Sequence, residues 1–75
     1  MEPYRNLNGN SGVESFTIAD DSITIRFRDG PTYVYTYDRP GRSHVERMKT
    51  LAREGRGLSA YISQHVGDRF ARRTP

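Results

Sequence analysis

The chain of 75 residues carries a formal net charge of +3, and 33% of its residues are hydrophobic, with no Cys and no Trp. A chain of this length forms one small domain that buries only about 60% of its unfolded surface, and neither disulfides nor cysteine-bound metal can reinforce its core. We expect a soluble, cytoplasmic protein that does not enter membranes, because no apolar run approaches the roughly 20 residues of a membrane span and Met1–Tyr4 lacks the start of a secretory signal.

The positive charge is concentrated in the second half of the chain. Residues 1–38 contain three Arg and six acidic residues, whereas residues 39–75 contain nine Lys or Arg and three acidic residues. This asymmetry favours a polyanionic partner. The alternative is a basic surface that serves solubility alone.

The first twelve residues, MEPYRNLNGNSG, are rich in Asn and Gly and show little periodicity. This pattern predicts a flexible N-terminal tail over residues 1–12. A single α+β domain is then expected over residues 13–70, and residues 71–75 are expected to form a basic C-terminal tail.

From Val13 to Tyr37 the sequence has the two-residue period of half-buried strands. The segments VESFTIA, SITIRFR and PTYVYTY each alternate between two kinds of side chain, and the turn signals Asp20-Asp21 and Asp29-Gly30 separate them. The pattern predicts a three-stranded antiparallel β-meander.

Tyr33, Tyr35 and Tyr37 share one face of the third predicted strand, and the preceding hairpin decides which face that is. If the Asp-Gly pair forms a two-residue turn, Arg26 lies opposite Tyr33. The three rings would then form an exposed aromatic platform beside Arg26, on which nucleic-acid bases can stack.

A three-residue loop over Arg28–Gly30 gives the opposite result. Ile25 then lies opposite Tyr33, Ile23 lies opposite Tyr35, and the rings join the core. Burial favours this arrangement, because each ring offers roughly 150 Å² to bury in a chain with few aliphatic residues. The platform remains the alternative.

After Pro40 the period changes to about 3.6, which predicts an amphipathic helix in SHVERMKTLAREG. Ser43 and Glu46 fit a capping box at its start, and Gly55 is expected to end it. Its predicted apolar face consists of Val45, Met48, Leu51 and Ala52.

A second helix is expected between Gly57 and Gly67. Its apolar side is predicted at Leu58, Tyr61, Ile62, His65 and Val66. The order β-β-β-α-α indicates a two-layer α+β domain in which both helices cover one face of the antiparallel sheet.

Two stretches together resemble the KTSC domain, which is found at the C-terminus of some lysyl-tRNA synthetases and as a stand-alone bacterial protein. In ITIRFRDGPTYVY, Tyr33 and Tyr35 follow a turn glycine as the family's Y-x-Y pair does. In GLSAYISQHVGDRF, the matching positions are Gly57, Leu58, Tyr61, Ile62, His65 and Val66. The resemblance spans roughly residues 13–70 and implies the same fold, with inward-facing tyrosines. RNA binding has been suggested for the family.

The sequence offers no pattern typical of an enzyme or a metal site, and we expect no catalytic residues, no metal and no cofactor. His44 and His65 lie on different predicted helices, and no carboxylate stands at ligand spacing from both, whereas zinc needs three or four protein ligands. His65 is instead expected to be partly buried in the core. No Cys is available as a nucleophile.

Arginines provide the main indication of function. We expect RNA or another nucleic acid to bind through phosphate contacts from a basic helical layer, in a small accessory module. The predicted contact residues are Arg42, Lys49, Arg53, Arg56, Arg72 and Arg73. The alternative is a protein-interaction module that docks an acidic protein partner.

The segment EGRGLS has two interpretations. Free backbone N–H groups beside Arg56 can hold a phosphate, or Gly55 and Gly57 serve only to turn the chain between two helices.

Overall fold

The described part of the chain contains five strands and two helices. The computed structural model describes residues 1–9 and 11–74. Its strands are Glu2–Pro3 (β1), Val13–Ala19 (β2), Ser22–Phe27 (β3), Thr32–Thr36 (β4) and Arg72–Thr74 (β5). Between β4 and β5 lie the helices Arg42–Glu54 (α1) and Leu58–Tyr61 (α2), and α2 continues as a π-helical turn over Ile62–Val66. The α+β class is therefore as predicted.

The sheet has five antiparallel strands in the order β1-β2-β3-β4-β5, rather than the three predicted. Strands β2, β3 and β4 are the expected meander. The two additional strands are β1, in which Glu2 pairs with Phe16 of β2, and β5, in which Arg73 pairs with Tyr33 of β4. Both added strands are short, exposed edge strands, so neither has a period that the sequence could reveal.

The two predicted tails contain these added strands. Glu2–Pro3 lies within the predicted N-terminal tail of residues 1–12, and Arg72–Thr74 lies within the predicted C-terminal tail of residues 71–75. The prediction of unstructured tails was therefore wrong at these residues. Asn10 and Pro75, which also belong to the predicted tails, lie outside the described residues.

The pairing of β3 with β4 follows the register of the three-residue loop. Ile25 lies opposite Tyr33, and Ile23 lies opposite Tyr35. The Tyr35 side chain is consequently buried, with 1% of its surface exposed. Arg26 lies opposite Thr32 instead of Tyr33, so it projects from the other face of the sheet.

The helices cover the face of the sheet that carries Tyr35. All four residues of the predicted apolar face of α1 are buried, as are Leu58, Ile62 and Val66 of the following segment. The turn widens to π-helical from Ile62, where continued α-helix was expected, and it ends at Gly67. Within the described ranges, no helix is long and apolar enough to cross a membrane.

Helix α1 ends as expected but starts differently. Gly55 adopts the left-handed conformation, with φ of 79°, and its N–H donates to the Leu51 carbonyl. At the start, Gly41 occupies the capping position, and no side chain caps the helix. The predicted capping box of Ser43 and Glu46 is therefore absent, because the Glu46 carboxylate binds Tyr37 and Lys49 instead.

The N-terminal segment is fastened to the end of α1. The Tyr4 ring is buried, and its hydroxyl oxygen accepts a hydrogen bond of 3.3 Å from the Leu58 N–H. The Leu7 N–H donates to the Gly55 carbonyl at 2.7 Å. A side chain at Gly55 would place its Cβ 2.8 Å from the Cβ of Arg5, so this close approach requires glycine.

Tyr4→Ala is expected to lower the free energy of unfolding by about 3 kcal/mol, as truncation of a buried aromatic does. Leu7→Ala is the matched control on the same segment, because 58% of the Leu7 surface is exposed, and it should cost less than about 0.5 kcal/mol. Urea denaturation measures both. Equal, small losses would show that the segment does not belong to the core.

Alkaline pH should destabilise the protein through Tyr35. Burial, with a smaller contribution from Tyr33, raises the pKa of Tyr35 from 10.0 to about 12. Because the folded pKa is the higher one, this contribution to stability is complete below pH 10 and is lost as the pH rises towards 12. Urea denaturation between pH 9 and pH 12 should show a smaller loss in Tyr35→Phe than in the wild type. Identical losses would contradict the assignment.

Candidate nucleic-acid interface and the adjoining cleft

The predicted basic residues fall into two separate groups. Arg42, Arg53 and Arg56 are exposed on α1 and on the corner that follows it. Arg72 and Arg73 are exposed on β5, at the edge of the sheet. Arg53 lies 11 positions after Arg42 in the same helix, so their Cα atoms are roughly 16 Å apart along the axis. The structure thus offers a helical surface and a sheet edge rather than one continuous patch.

Lys49 does not belong to this exposed surface, which corrects the sequence prediction. Only 5% of its surface is exposed. Its ammonium group lies 2.8 Å from Glu46 Oε2 and donates a 2.8 Å hydrogen bond to the Asp20 carbonyl. The Lys49 charge is therefore already satisfied within the fold and is not available to a phosphate.

Tyr37 belongs to the same network. Its hydroxyl lies 2.6 Å from Glu46 Oε2 and 2.8 Å from the Asp20 carbonyl. Hydrogen bonds from Lys49, and then from Tyr37, hold the pKa of Glu46 below its ordinary value. The hydrogen bond to the Glu46 carboxylate, followed by burial, raises the pKa of Tyr37. The network joins the β2–β3 turn, the end of β4 and α1.

The predicted aromatic platform is not formed. Tyr35 is buried, and the Tyr33 ring packs against Phe70, with 4.4 Å between the ring centroids. The Tyr37 ring has two cations above it, since Arg42 and Lys49 each lie 5.5 Å from its centroid. These rings lie on the helix side of the sheet and offer no open face beside Arg26.

The opposite face of the sheet carries no helix among the residues that the structure describes. One row across it runs through Thr17, Thr24, Val34 and Arg72. Hydroxyl and small apolar groups thus dominate this row, and it contains no ring on which a base could stack. The open face therefore offers hydrogen bonding rather than aromatic stacking.

Most arginines have no acidic partner. Among the described residues, Arg26 is the one arginine within 4.0 Å of a carboxylate, at 3.2 Å from Glu14 Oε1. The arginine charges on α1 and at the following corner are therefore not neutralised by the fold. Such charges are available to bind an anion.

An additional arginine lies at the end of α1, where Arg5 donates a hydrogen bond to the Arg53 carbonyl. Arg5, Arg53 and Arg56 thus surround the C-terminal end of the helix, and we call this group the corner arginines. The sequence prediction missed Arg5, because it lies in a segment with no periodicity. The adjacent Tyr4 was the available signal, since a large aromatic residue is expensive to leave exposed in a small domain.

A cleft of ≈ 210 Å³ opens beside the corner arginines. Two parts of the chain form its walls: the N-terminal segment before β2, and the corner that leads into α2. Its lining consists of Tyr4, Asn6, Asn8, Ser11, Arg56, Gly57, Ser59 and Ala60. The sequence prediction included Arg56 and the EGRGLS segment around it, but it missed the N-terminal wall, which is far away in the chain.

The two histidines flank one tyrosine between the helices. His44 Nδ1 lies 2.7 Å from the Tyr61 hydroxyl, and the His65 ring stacks on the Tyr61 ring at a centroid distance of 4.8 Å. His65 is exposed rather than partly buried in the core as predicted, because the π-helical turn carries it outwards. In the part of the chain that the structure describes, no group of three or more His, Cys, Asp or Glu side chains could hold a metal ion.

Comparison of the chain with protein-family models, curated proteins and solved structures gave no match. The resemblance to the KTSC domain therefore rests on the sequence motifs described above.

The position of Lys49 predicts a contrast between two basic residues of α1. Lys49→Ala should lower the free energy of unfolding by about 2 kcal/mol, because it removes a buried stem and two charge-assisted hydrogen bonds. Arg53→Ala, at an exposed position of the same helix, should change it by less than about 0.5 kcal/mol. Thermal and urea denaturation provide the measurement. If Lys49→Ala left the free energy of unfolding unchanged, Lys49 would have to be assigned to the exposed surface after all.

Proposed function

We propose that the protein is a small non-enzymatic accessory module that binds RNA through phosphate contacts. The corner arginines Arg5, Arg53 and Arg56 supply the main contacts, and Arg42 extends the surface along α1. The observation that carries the proposal is the gathering of three arginines, none of them paired with a carboxylate among the described residues, at one end of a helix. The resemblance to the KTSC domain supports the same function.

The corner arginines lie at the carbonyl end of α1, where cations offset the partial negative charge of the helix end. No carboxylate among the described residues pairs with them, and the Arg5 guanidinium is held in place by its bond to the Arg53 carbonyl. An approaching phosphate offers its oxygens to the planar guanidinium groups, which bind phosphate in a bidentate manner. The contacts involve the backbone of the nucleic acid, so sequence preference is weak.

Arg72 and Arg73 form the secondary contact region. They lie on β5 and face opposite sides of the sheet, because Arg72 pairs with Val34 and Arg73 pairs with Tyr33. One strand of RNA therefore meets only one of them at a time. Their contribution to binding is smaller than that of the corner arginines.

A second candidate function is docking of an acidic protein partner at β5. This strand is the edge of the sheet, and all three of its residues are exposed. The outer edge of such a strand has backbone N–H and C=O groups that an extended peptide can pair with, while the arginines attract acidic side chains.

RNA binding should weaken steeply with salt. The logarithm of the association constant should fall against the logarithm of salt concentration with a slope of roughly −0.7 per contacted phosphate of a single strand. Arg53→Gln combined with Arg56→Gln should make the slope shallower by about one unit or more, because two contacts are lost. Fluorescence anisotropy with a labelled single-stranded RNA, at salt concentrations from about 50 mM upwards, measures the slope.

Arg28→Gln is the matched control for this double variant. Arg28 is an exposed arginine in the β3–β4 loop that belongs neither to the corner arginines nor to the cleft lining, and its loss should leave the slope unchanged. If the wild-type protein shows no affinity for RNA at about 50 mM salt, where phosphate contacts are strongest, the RNA proposal fails. Binding of an acidic peptide, abolished by Arg72→Glu, would then favour the function at β5.

A further inference from the structure

Several side chains in the lining of the cleft keep a free hydrogen-bond donor. The first of these side chains is Asn6. Its side-chain oxygen accepts a 3.0 Å hydrogen bond from the Ser11 backbone N–H. A backbone N–H can only donate, so the atom that faces it must be the amide oxygen. The Asn6 side-chain NH2 group, with two hydrogens, is left for other partners.

The side-chain hydroxyl oxygens of Ser11 and Tyr4 also accept hydrogen bonds from backbone N–H groups. The Ser11 hydroxyl oxygen accepts a 3.1 Å hydrogen bond from the Val13 N–H, and the Tyr4 hydroxyl oxygen accepts one from the Leu58 N–H. Each hydroxyl keeps its hydrogen, for which the described residues provide no acceptor. The Tyr4 side chain is the more telling of the two, because only 6% of the residue is exposed. Because Tyr4 lines the cleft, its hydroxyl hydrogen can be donated to a ligand there.

Arg56 completes this arrangement. It lines the cleft, it is exposed, and no carboxylate among the described residues neutralises it. Four side chains of the lining, from two segments of the chain, thus keep a free donor, and one of them carries a positive charge. An anion that accepts several hydrogen bonds complements these donors.

We propose that this cleft binds a phosphate monoester, as the terminal phosphate of an RNA strand or as the phosphate of a free nucleotide. A terminal phosphate offers three oxygens to donors that approach from different directions, whereas a carboxylate offers two in one plane. An internal phosphate of an RNA strand offers only two non-bridging oxygens to these donors, because the chain leaves it on both sides. For the RNA end, this inference rests on the proposed function.

The test compares one short RNA with a 5′-phosphate, a 3′-phosphate or neither, by competition in fluorescence anisotropy. An RNA with one terminal phosphate should bind at least tenfold more tightly than the same RNA without. Inorganic phosphate and a nucleoside monophosphate, titrated separately, should compete for the phosphorylated RNA.

Asn6→Asp is the decisive variant. The carboxylate keeps the oxygen that accepts from the Ser11 N–H, but it replaces the free NH2 donor with a negative charge. Asn6 adopts a positive φ of 55°, which Asp also tolerates, so the loop should keep its conformation. The variant should abolish the preference for a terminal phosphate. Gln64→Glu makes the same amide-to-carboxylate change at an exposed position outside the cleft lining, and it should leave the preference intact.

The outcomes separate this inference from the proposed function. A terminal-phosphate preference that Asn6→Asp abolishes supports both. Binding of the free nucleotide that Asn6→Asp abolishes, without any RNA binding, supports the cleft and overturns the RNA function. If RNA binds equally well with and without a terminal phosphate, and neither phosphate nor nucleotide competes, the cleft proposal is overturned and the RNA function is retained. A preference that survives in Asn6→Asp also overturns the cleft proposal.

Discussion

The pairing of β3 with β4 is the constraint on which the rest of the domain depends. Ile23 lies opposite Tyr35, so the tyrosines and the isoleucines share the face that the helices cover. A shift of one residue would move this whole apolar set to solvent and leave threonines against the helices. The burial of α1, the network at Tyr37 and the hydroxyl-rich open face all follow from this register.

The N-terminal segment has two roles that the structure does not separate. The Tyr4 ring packs in the core, while its hydroxyl oxygen accepts a hydrogen bond from the Leu58 N–H and Tyr4 also lines the cleft. The Asn6 side-chain oxygen accepts a hydrogen bond from the Ser11 N–H, and its side-chain NH2 group remains free to donate to a ligand. The segment thus stabilises the end of α1 and builds the candidate ligand site with the same residues. Loss of this segment would therefore affect both stability and ligand binding.

The basic residues of α1 differ in whether the fold itself uses their charge. Lys49 is buried and paired, and it serves the fold. Arg53 and Arg56 are exposed and have no acidic partner among the described residues. For this reason we propose anion binding at the end of α1 rather than along its whole length.

The sequence alone determined the central strands, the two helical segments and the side of α1 that is buried, because each extends over enough residues to show its period. It also located the end of α1 at Gly55. Tertiary structure decided the rest. The edge strands are too short to have a period, and the burial of Lys49 depends on a carbonyl at Asp20, far away in the chain. The cleft required two distant segments to meet, and no local pattern encodes such a meeting.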